Sequence, residues 1–187
     1  MEIKFNEKTP FLISINNFDK YKHIISKLIL DNSTNTNPFI TIAIPTFRRP
    51  ETLKIAIDSA LYQTDYTDYE VIVVDNDENP TNETEKLIRS YKSDKLRYFR
   101  NNKNLGMFGN WNRCFELARG TYVALLHDDD FITNNFLITT TEYLKKNKVS
   151  LLSISHKIID EKKKIITGII LPVFTKHINL TEKDFYL

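Results

Sequence analysis

The most constraining feature of the sequence is a strand-forming segment that runs directly into three consecutive aspartates. Residues 122–126 are aromatic or aliphatic, and His127-Asp-Asp-Asp130 follows them without a break. Folding alone does not favour adjacent carboxylates at the end of a buried strand, because they repel one another. A bound divalent cation would remove that repulsion, and oxygen ligands suit Mg²⁺ or Mn²⁺. The alternative interpretation is a solvated acidic turn that simply follows a strand.

Composition restricts the class of protein. A chain of 187 residues is one domain, or one domain with an appendage. Its 26 Lys and Arg against 24 Asp and Glu give a formal charge of +2, which provides no reason to expect nucleic acid as a partner. The single cysteine, Cys114, excludes an internal disulfide and a cysteine-based zinc site, and its neighbours Trp111 and Phe115 predict a packed thiol on a buried helix face.

Targeting signals are not found in the sequence. No apolar run approaches the ~20 residues that span a bilayer, and the first residues do not have the pattern of a signal peptide. The expected location is therefore the cytoplasm, either free or attached peripherally to the inner face of the membrane.

The first part of the chain has helical periodicity. Phe18, Tyr21, Ile25 and Leu28 fall on one face of a helix over residues 17–30. The segment 31–38 is polar, ends in proline and is typical of a linker. Residues 1–37 are accordingly predicted to be an N-terminal helical extension and linker.

Strands and helices alternate after residue 38. Strands are predicted at 39–44, 70–74, 95–100, 122–126 and 149–155, with helices beginning at Pro50 and covering 82–92, 108–118 and 135–146. This alternation indicates an α/β domain over residues 38–156, with a mostly parallel sheet flanked by helices. Residues 157–187 are predicted to begin a further region, with a hairpin around 161–164.

Polar clusters follow three of the predicted strands, at 45–50, 75–80 and 127–130. In a right-handed doubly wound sheet these carboxyl ends lie along one rim. A crevice there would offer Phe47 for stacking, amides and carboxylates for a base or ribose, and a metal ion for phosphates. The chain has only four glycines and no glycine-rich phosphate loop, so a nucleotide would have to be held by these other groups.

Four motifs in order resemble family 2 glycosyltransferases of the GT-A fold. They are Ile42-Ala-Ile-Pro-Thr-Phe-Arg-Arg-Pro-Glu-Thr-Leu53, Tyr69-Glu-Val-Ile-Val-Val-Asp-Asn76, Asn102-Lys-Asn-Leu-Gly-Met-Phe-Gly-Asn-Trp-Asn-Arg113 and Leu125-Leu-His-Asp-Asp-Asp130. The match covers residues 39–155 and implies a Rossmann-like GT-A sheet that is truncated on its C-terminal side. It also implies metal-assisted transfer, with inversion, of a sugar from a nucleotide-diphosphate donor, with UDP-sugar favoured, to a saccharide or glycoconjugate acceptor.

The resemblance implies specific site residues. The predicted nucleotide-sugar-binding residues are Pro45, Thr46, Phe47, Arg49, Asp75, Asn76, Asp77, Asn104 and Asp128. Asp129 is expected to reach the Mg²⁺ or Mn²⁺ ion, with Asp128 and Asp130 beside it. Asn76 stands where relatives commonly carry an acid that reads uracil, so a broader base selectivity is expected, with Asp77 as a possible substitute. Arg49 would screen the diphosphate, unless it belongs only to a solvated turn.

Direct displacement at the anomeric carbon needs a general base. In the resembling family that acid lies well beyond the metal motif, and Asp184 does not match its context. The expectation is a donor-binding chain that is short of its general base and self-associates through the apolar C-terminal segment. Two alternatives remain open: a non-catalytic sugar-nucleotide-binding module, and an Asp-dependent phosphatase, although a phosphatase would carry the acidic motif on its first strand.

Overall fold

The computed structural model describes residues 17–79, 83–147, 149–154, 157–160 and 165–167. The strands in this part of the chain are β1 (Ser26–Asp31), β2 (Ile40–Thr46), β3 (Tyr69–Asp75), β4 (Leu96–Asn101), β5 (Tyr122–Leu125), β6 (Ile158–Ile159) and β7 (Ile165–Thr167). The helices are α1 (Asn17–Tyr21), α2 (Pro50–Leu61), α3 (Glu83–Arg89), α4 (Gly106–Leu117) and α5 (Phe136–Asn147).

Five of the strands form one sheet in the order β1-β4-β3-β2-β5. The strands β2 to β5 are parallel to their neighbours, whereas β1 is antiparallel to β4. The register places Thr46 opposite Asp75 and Ala43 opposite Leu125, so the strands β2, β3 and β5 end on the same rim. The predicted mostly parallel sheet with flanking helices is confirmed.

Both faces of the sheet are covered, which explains the uniformly apolar strands. Alternate residues of a strand point to opposite faces. One face packs Ile42, Ile44, Val71 and Val73 against α2, α3 and α5, through side chains that include Leu53, Ala56, Ile57, Ala60, Ile88 and Leu137. The opposite face packs Ala43, Ile72, Val74 and Phe99 against Cys114 of α4. Cys114 is fully buried, as predicted, and burial raises the pKa of its thiol.

The prediction of a helix over residues 17–30 was wrong beyond residue 21. Helix α1 ends at Tyr21, and residues 26–31 form the edge strand β1, paired with β4 from Ser26 opposite Asn101 to Asp31 opposite Arg97. Ile25 and Leu28, predicted to share one helical face with Phe18 and Tyr21, are exposed. Pairing with an otherwise open strand edge outweighed the helical spacing, and residues 26–31 belong to the sheet rather than to a helical extension.

The chain divides into two compact units, Met1–Thr139 and Thr140–Leu187. In the second unit β6 and β7 pair in antiparallel fashion, which confirms the predicted hairpin. The strand predicted at 149–155 is wrong for residues 149–154, which form neither strand nor helix, and residue 155 lies outside the described part. The segment proposed for self-association also lies largely outside it. Among the helices in the described ranges, none has the length and apolar character needed to cross a bilayer.

A buried ion pair joins β3 to β4 at the amino end of the sheet. Arg97 Nη1 lies 3.2 Å from Glu70 Oε2, and both side chains are buried. Glu70 Oε1 also accepts hydrogen bonds from Thr41 Oγ1 at 2.9 Å and from the backbone N–H of Arg119 at 3.0 Å. A buried carboxylate persists only when charges and hydrogen bonds replace its lost hydration. These contacts therefore fix Glu70 and tie four chain segments together.

The substitution Glu70→Gln should lower the free energy of unfolding by about 3 kcal/mol, because it leaves the guanidinium of Arg97 buried beside a neutral amide. Urea denaturation followed by circular dichroism measures the change. Glu83→Gln is the matched control, since Glu83 and its partner Lys86 have side chains 67% and 69% exposed. That variant should stay within about 0.5 kcal/mol of the wild type. Equal losses in the two variants would show that the buried pair is not stabilising.

Candidate functional site

Thr46 connects the ends of three strands at the carboxyl rim of the sheet. Its carbonyl accepts a hydrogen bond from the backbone N–H of Asn76 at 2.9 Å. Its hydroxyl donates to Asp128 Oδ2 at 2.8 Å. Because β2 lies between β3 and β5, these two bonds bring the segment after β3 and the acidic segment after β5 to either side of Thr46. The structure thus joins the three polar clusters that the sequence predicted to share a rim.

The three consecutive aspartates differ in their surroundings. Asp128 is 7% exposed, whereas Asp129 and Asp130 are exposed to solvent. The backbone N–H of Asp130 donates to the His127 carbonyl at 3.1 Å, which closes a turn over these residues. Within the described ranges, no group of three or more histidine, cysteine, aspartate or glutamate side chains could hold a metal ion.

Asp128 and Asp129 nevertheless share one cationic partner. Arg49 Nη1 lies 3.0 Å from Asp129 Oδ2 and 3.6 Å from Asp128 Oδ1. A positively charged atom therefore already sits within reach of both carboxylates, while Asp130 takes no part in this contact. Mg²⁺ is commonly held by one or two carboxylates together with substrate phosphates, rather than by a cage of protein ligands alone. Asp128 and Asp129 fit that donor set, and the metal assignment itself stays a prediction.

The turn after β2 pairs with the segment after β3 through a second arginine. Arg48 Nε lies 3.1 Å from Asp77 Oδ2, and the guanidinium of Arg48 lies 4.8 Å from the centre of the Phe47 ring. The backbone of Arg48 has φ 58°, a left-handed conformation that residues other than glycine rarely adopt. Burial tends to raise the pKa of Asp77, but hydrogen bonds from Arg48 and from the Asn79 backbone outweigh it, and the pKa is lowered.

Asp75 is fully buried and bonded within the protein. Its Oδ1 accepts from the backbone N–H of Asp77 at 2.9 Å, and its Oδ2 accepts from the Tyr98 hydroxyl at 2.8 Å. Burial, followed by the charge of Asp75, raises the pKa of Tyr98, so the phenol keeps its proton and remains a donor. The structure therefore gives Asp75 a role in shaping the segment that carries Asn76 and Asp77.

Asn76 is at the centre of an amide network that sequence analysis missed. Its Nδ2 donates to Asn104 Oδ1 at 2.8 Å and to the Gly106 carbonyl at 3.3 Å. Its Oδ1 accepts from Asn101 Nδ2 at 3.0 Å and from the backbone N–H of Leu105 at 2.8 Å. An amide has two donor hydrogens and two acceptor lone pairs, and all four are used here. In this arrangement Asn76 has no hydrogen-bonding capacity left for a base.

The network fixes the start of α4 against the rim. Gly106 has φ 70°, a conformation that glycine adopts without a steric cost, and its N–H donates to Asn104 Oδ1 at 2.7 Å. Asn101 Nδ2 also donates to Asn110 Oδ1 at 2.8 Å, and Asn110 Nδ2 donates to the Val74 carbonyl at 2.9 Å. Asn104 was predicted to lie at the nucleotide-sugar site or to cap the loop around it, and its hydrogen bonds with Asn76 and the Gly106 N–H are those of a loop cap. The spacing of Asn110 four residues before Cys114, which puts a polar residue on the buried face of α4, is a sequence signal that could have revealed this network.

Aromatic rings line the rim beside the aspartates. The ring centres of Trp111 and His127 are 4.9 Å apart at 82°, and those of Phe108 and Trp111 are 5.2 Å apart at 78°. Both pairs are edge-to-face, a favourable arrangement for aromatic side chains. Trp111 is half-buried and Phe115 is exposed, so the expectation that both belong to a buried helix face was wrong. Their helix buries Asn110 and Cys114 instead.

Comparison with known proteins identifies the family. Residues 41–184 match the family described as glycosyl transferase family 2. An uncharacterized glycosyltransferase of Methanocaldococcus jannaschii is 31% identical over 133 residues, which cover 69% of this chain and 45% of that protein. The Escherichia coli protein WfaP, named UDP-Glc:alpha-D-GlcNAc-diphosphoundecaprenol beta-1,3-glucosyltransferase, is 29% identical over 130 residues, covering 70% and 50%. The chain belongs to glycosyl transferase family 2 and spans half or less of the length of these relatives.

Solved structures show the same fold. Residues 1–349 of Staphylococcus aureus TarS, in complex with UDP-GlcNAc, superpose with a TM-score of 0.53 at 19% identity, covering 65% of this chain and 38% of that chain. The mannosyltransferase PcManGT from Pyrobaculum calidifontis, in complex with GDP-Man and Mn²⁺, gives 0.52 at 20% identity, covering 70% and 39%. At identities this low the likeness concerns the fold alone, and it confirms the predicted GT-A fold.

The substitution Asn76→Asp should lower the free energy of unfolding by about 3 kcal/mol, because it sets a buried carboxylate oxygen against two acceptor oxygens. Those acceptors are Asn104 Oδ1 and the Gly106 carbonyl. Urea denaturation measures the loss, with the exposed Asn102→Asp as the control for the added charge. If Asn76→Asp unfolds at the same urea concentration as the control, the amide network does not hold this part of the rim.

The substitution Arg48→Gln should raise the pKa of Asp77, because it removes the hydrogen bond that most strongly lowers that pKa. In the wild type the low pKa stabilises the folded state above the ordinary carboxyl value of 3.8, and this contribution is lost as the pH falls through the lower folded value. A carbonyl-detected NMR titration of Asp77 in both proteins measures the shift. An unchanged titration midpoint would mean that the ion pair is not formed in solution.

Proposed function

We propose that the protein binds a nucleoside-diphosphate sugar at the carboxyl rim and transfers the sugar to a saccharide or glycoconjugate acceptor. The observation that carries this proposal is the convergence of Asp128 and Asp129 on the turn after β2, through Thr46 at 2.8 Å and Arg49 at 3.0 Å. Family membership supports the reaction type. A UDP-sugar in the name of WfaP and the nucleotide sugars in TarS and PcManGT support the class of donor.

Each rim residue has a role in this proposal. Asp129, with a side chain 56% exposed, is the principal ligand of a Mg²⁺ or Mn²⁺ ion. Asp128 completes the donor set, and its hydrogen bond from Thr46 fixes its orientation towards the ribose and diphosphate. When bound, the cation supplies positive charge that offsets charge developing on the departing diphosphate. Asp130 is exposed beside them and is a weaker candidate ligand.

The groups available to a base are Phe47 and Asp77. Phe47 is 39% exposed, which leaves part of its ring for stacking. Asp77 accepts hydrogen bonds from Arg48, and a carboxylate is the acceptor that an imide N–H of uracil would require. Because the four bonds of Asn76 are used within the protein, we assign base contact to Asp77 and treat UDP-sugar as the favoured donor. Asn104 and Asp75 shape this part of the site through their hydrogen bonds.

The acceptor hydroxyl must lose its proton during transfer, which requires a general base. We assign this base to no residue of the described ranges, and Asp184 lies outside them. The expectation that the 187-residue chain is short of a base therefore stays a prediction. A non-catalytic module that only binds the nucleotide sugar is the competing function, and transfer assays distinguish the two.

Nucleotide binding should depend on the metal, because the carboxylates of the rim otherwise repel a diphosphate. Isothermal titration with UDP should give binding in the presence of MnCl₂ that is lost after chelation. Asp129→Asn should weaken this binding at least about tenfold, as expected for the loss of a metal ligand. Asp77→Asn should have a smaller effect, since it acts on the base rather than on the cation.

A panel of UDP-, GDP- and TDP-sugars in the same titration tests the choice of donor. Unchanged UDP affinity after chelation would show the metal assignment to be wrong. Binding of a donor without release of its sugar, in the presence of a cell-envelope extract as acceptor source, would favour the non-catalytic module. Release of sugar would favour the transferase.

A further inference from the structure

The turn after β2 carries two adjacent arginines that pair with different acidic segments. Arg48 pairs with Asp77 after β3 at 3.1 Å, and Arg49 pairs with Asp129 after β5 at 3.0 Å. Both arginine side chains are largely exposed, at 65% and 58%. The two arginines differ in the acids that they contact. Arg49 also lies 3.6 Å from Asp128, so it contacts both proposed metal ligands.

We infer that Arg49 is an internal counter-ion of the metal site: its guanidinium neutralises Asp128 and Asp129 when the rim holds no cation, and binds the donor's diphosphate once the cation takes that place. This inference rests on the proposed function, because it concerns the same site. The new element is that the Arg49 side chain exchanges a carboxylate partner for a phosphate partner. This exchange couples the binding of the cation to the binding of the donor.

Arg49 and a cation would compete for the same two carboxylates. Arg49 Nη1 lies 3.0 Å from Asp129 Oδ2, whereas a Mg²⁺ ion binds its oxygen ligands at about 2.0–2.1 Å. A cation bound to the Asp129 oxygen that Arg49 contacts would lie within about 5 Å of the guanidinium nitrogen. At such a separation two positive charges also repel each other, even with the screening of water. We therefore expect the guanidinium to move away when the cation binds.

The departure of Arg49 costs little. Ion pairs between exposed side chains contribute little stability, and both Arg49 and Asp129 are more than half exposed. The released side chain remains on a turn whose backbone is attached to β2, so it stays at the rim. A planar guanidinium also matches the geometry of phosphate oxygens with two parallel hydrogen bonds. A donor diphosphate beside the cation would offer those oxygens.

This exchange predicts that the cation and the nucleotide favour each other's binding. Without nucleotide, the cation competes with Arg49 for the carboxylates. With nucleotide present, the guanidinium has a new partner and the competition is relieved. Because coupling between two binding equilibria is reciprocal, bound cation should strengthen nucleotide binding by the same factor.

The test compares Arg49→Gln with the matched control Arg48→Gln, which removes a neighbouring arginine of similar exposure from a different carboxylate. Electron paramagnetic resonance measures binding of MnCl₂ alone to the whole chain. Arg49→Gln should bind Mn²⁺ about three- to tenfold more tightly than the wild type, because one competing charge is gone. Arg48→Gln should stay within about twofold of the wild type, since Arg48 contacts neither proposed ligand.

The second measurement is UDP affinity at saturating MnCl₂, where Arg49→Gln should bind about three- to tenfold more weakly. Opposite changes in the two affinities are the signature of the exchange, because a side chain that only held the loop in shape would lower both when removed. Arg49→Lys keeps the positive charge but loses the planar guanidinium with its paired hydrogen-bond donors. It should bind Mn²⁺ as the wild type does but UDP more weakly. Circular dichroism confirms that the variants are folded.

The outcomes separate this inference from the proposed function. If the wild type binds UDP only with Mn²⁺ but Arg49→Gln binds Mn²⁺ no more tightly, the counter-ion role is overturned and the donor site stands. If the wild type and Arg49→Gln both fail to bind Mn²⁺ with or without UDP, the metal site and the inference are both overturned.

Discussion

The arrangement of the rim depends on the hydrogen bonds that Thr46 makes to the strands on either side of it. Its carbonyl accepts from the Asn76 backbone at 2.9 Å, and its hydroxyl donates to Asp128 at 2.8 Å. The other end of β2 has an equivalent residue, since Thr41 Oγ1 donates to Glu70 at 2.9 Å and accepts from the Gly120 N–H at 2.8 Å. The strand β2 thus ties its two neighbours together through a buried threonine at each end. At each end of β2, a threonine hydroxyl therefore donates to a buried carboxylate and helps to fix that side chain, Asp128 at the rim and Glu70 at the opposite end.

The acids of the rim divide according to their exposure. Asp75 is completely buried and its oxygens accept from Tyr98 and from the backbone, so its charge serves the protein's own structure. Asp129 is more than half exposed and pairs with an equally exposed arginine, a contact that contributes little stability. Asp77 and Asp128 lie between these extremes, each buried but bonded to a side chain at or just after the end of β2, Arg48 for Asp77 and Thr46 for Asp128. A ligand would therefore meet the exposed acid first, with the buried acids holding the shape of the site.

The sequence predicted the parallel strands and their covering helices because the physical cause is local. Runs such as Val71 to Val74 are apolar at every position, which only a strand covered on both faces requires. The same reasoning was wrong for residues 26–31, because an edge strand is determined by the strand it pairs with rather than by its own hydrophobic pattern. Helical spacing from Phe18 to Leu28 was genuine, yet the hydrogen bonds offered by β4 decided the structure. Residues 149–154 were also predicted to be a strand from their apolar residues, and they form neither strand nor helix.

Within the site, the sequence could place residues on the rim but could not assign their partners. Asn76 looked like a base-reading group, and only its four hydrogen bonds within the protein show that its amide is already committed. Arg48 and Arg49 are indistinguishable as neighbours in the sequence. The left-handed backbone at Arg48 separates them, so that one reaches Asp77 and the other reaches Asp128 and Asp129. Such a conformation in a residue other than glycine persists when surrounding contacts require it. The two neighbouring arginines therefore contact different acids, and only Arg49 lies beside the carboxylates that a metal ion would bind.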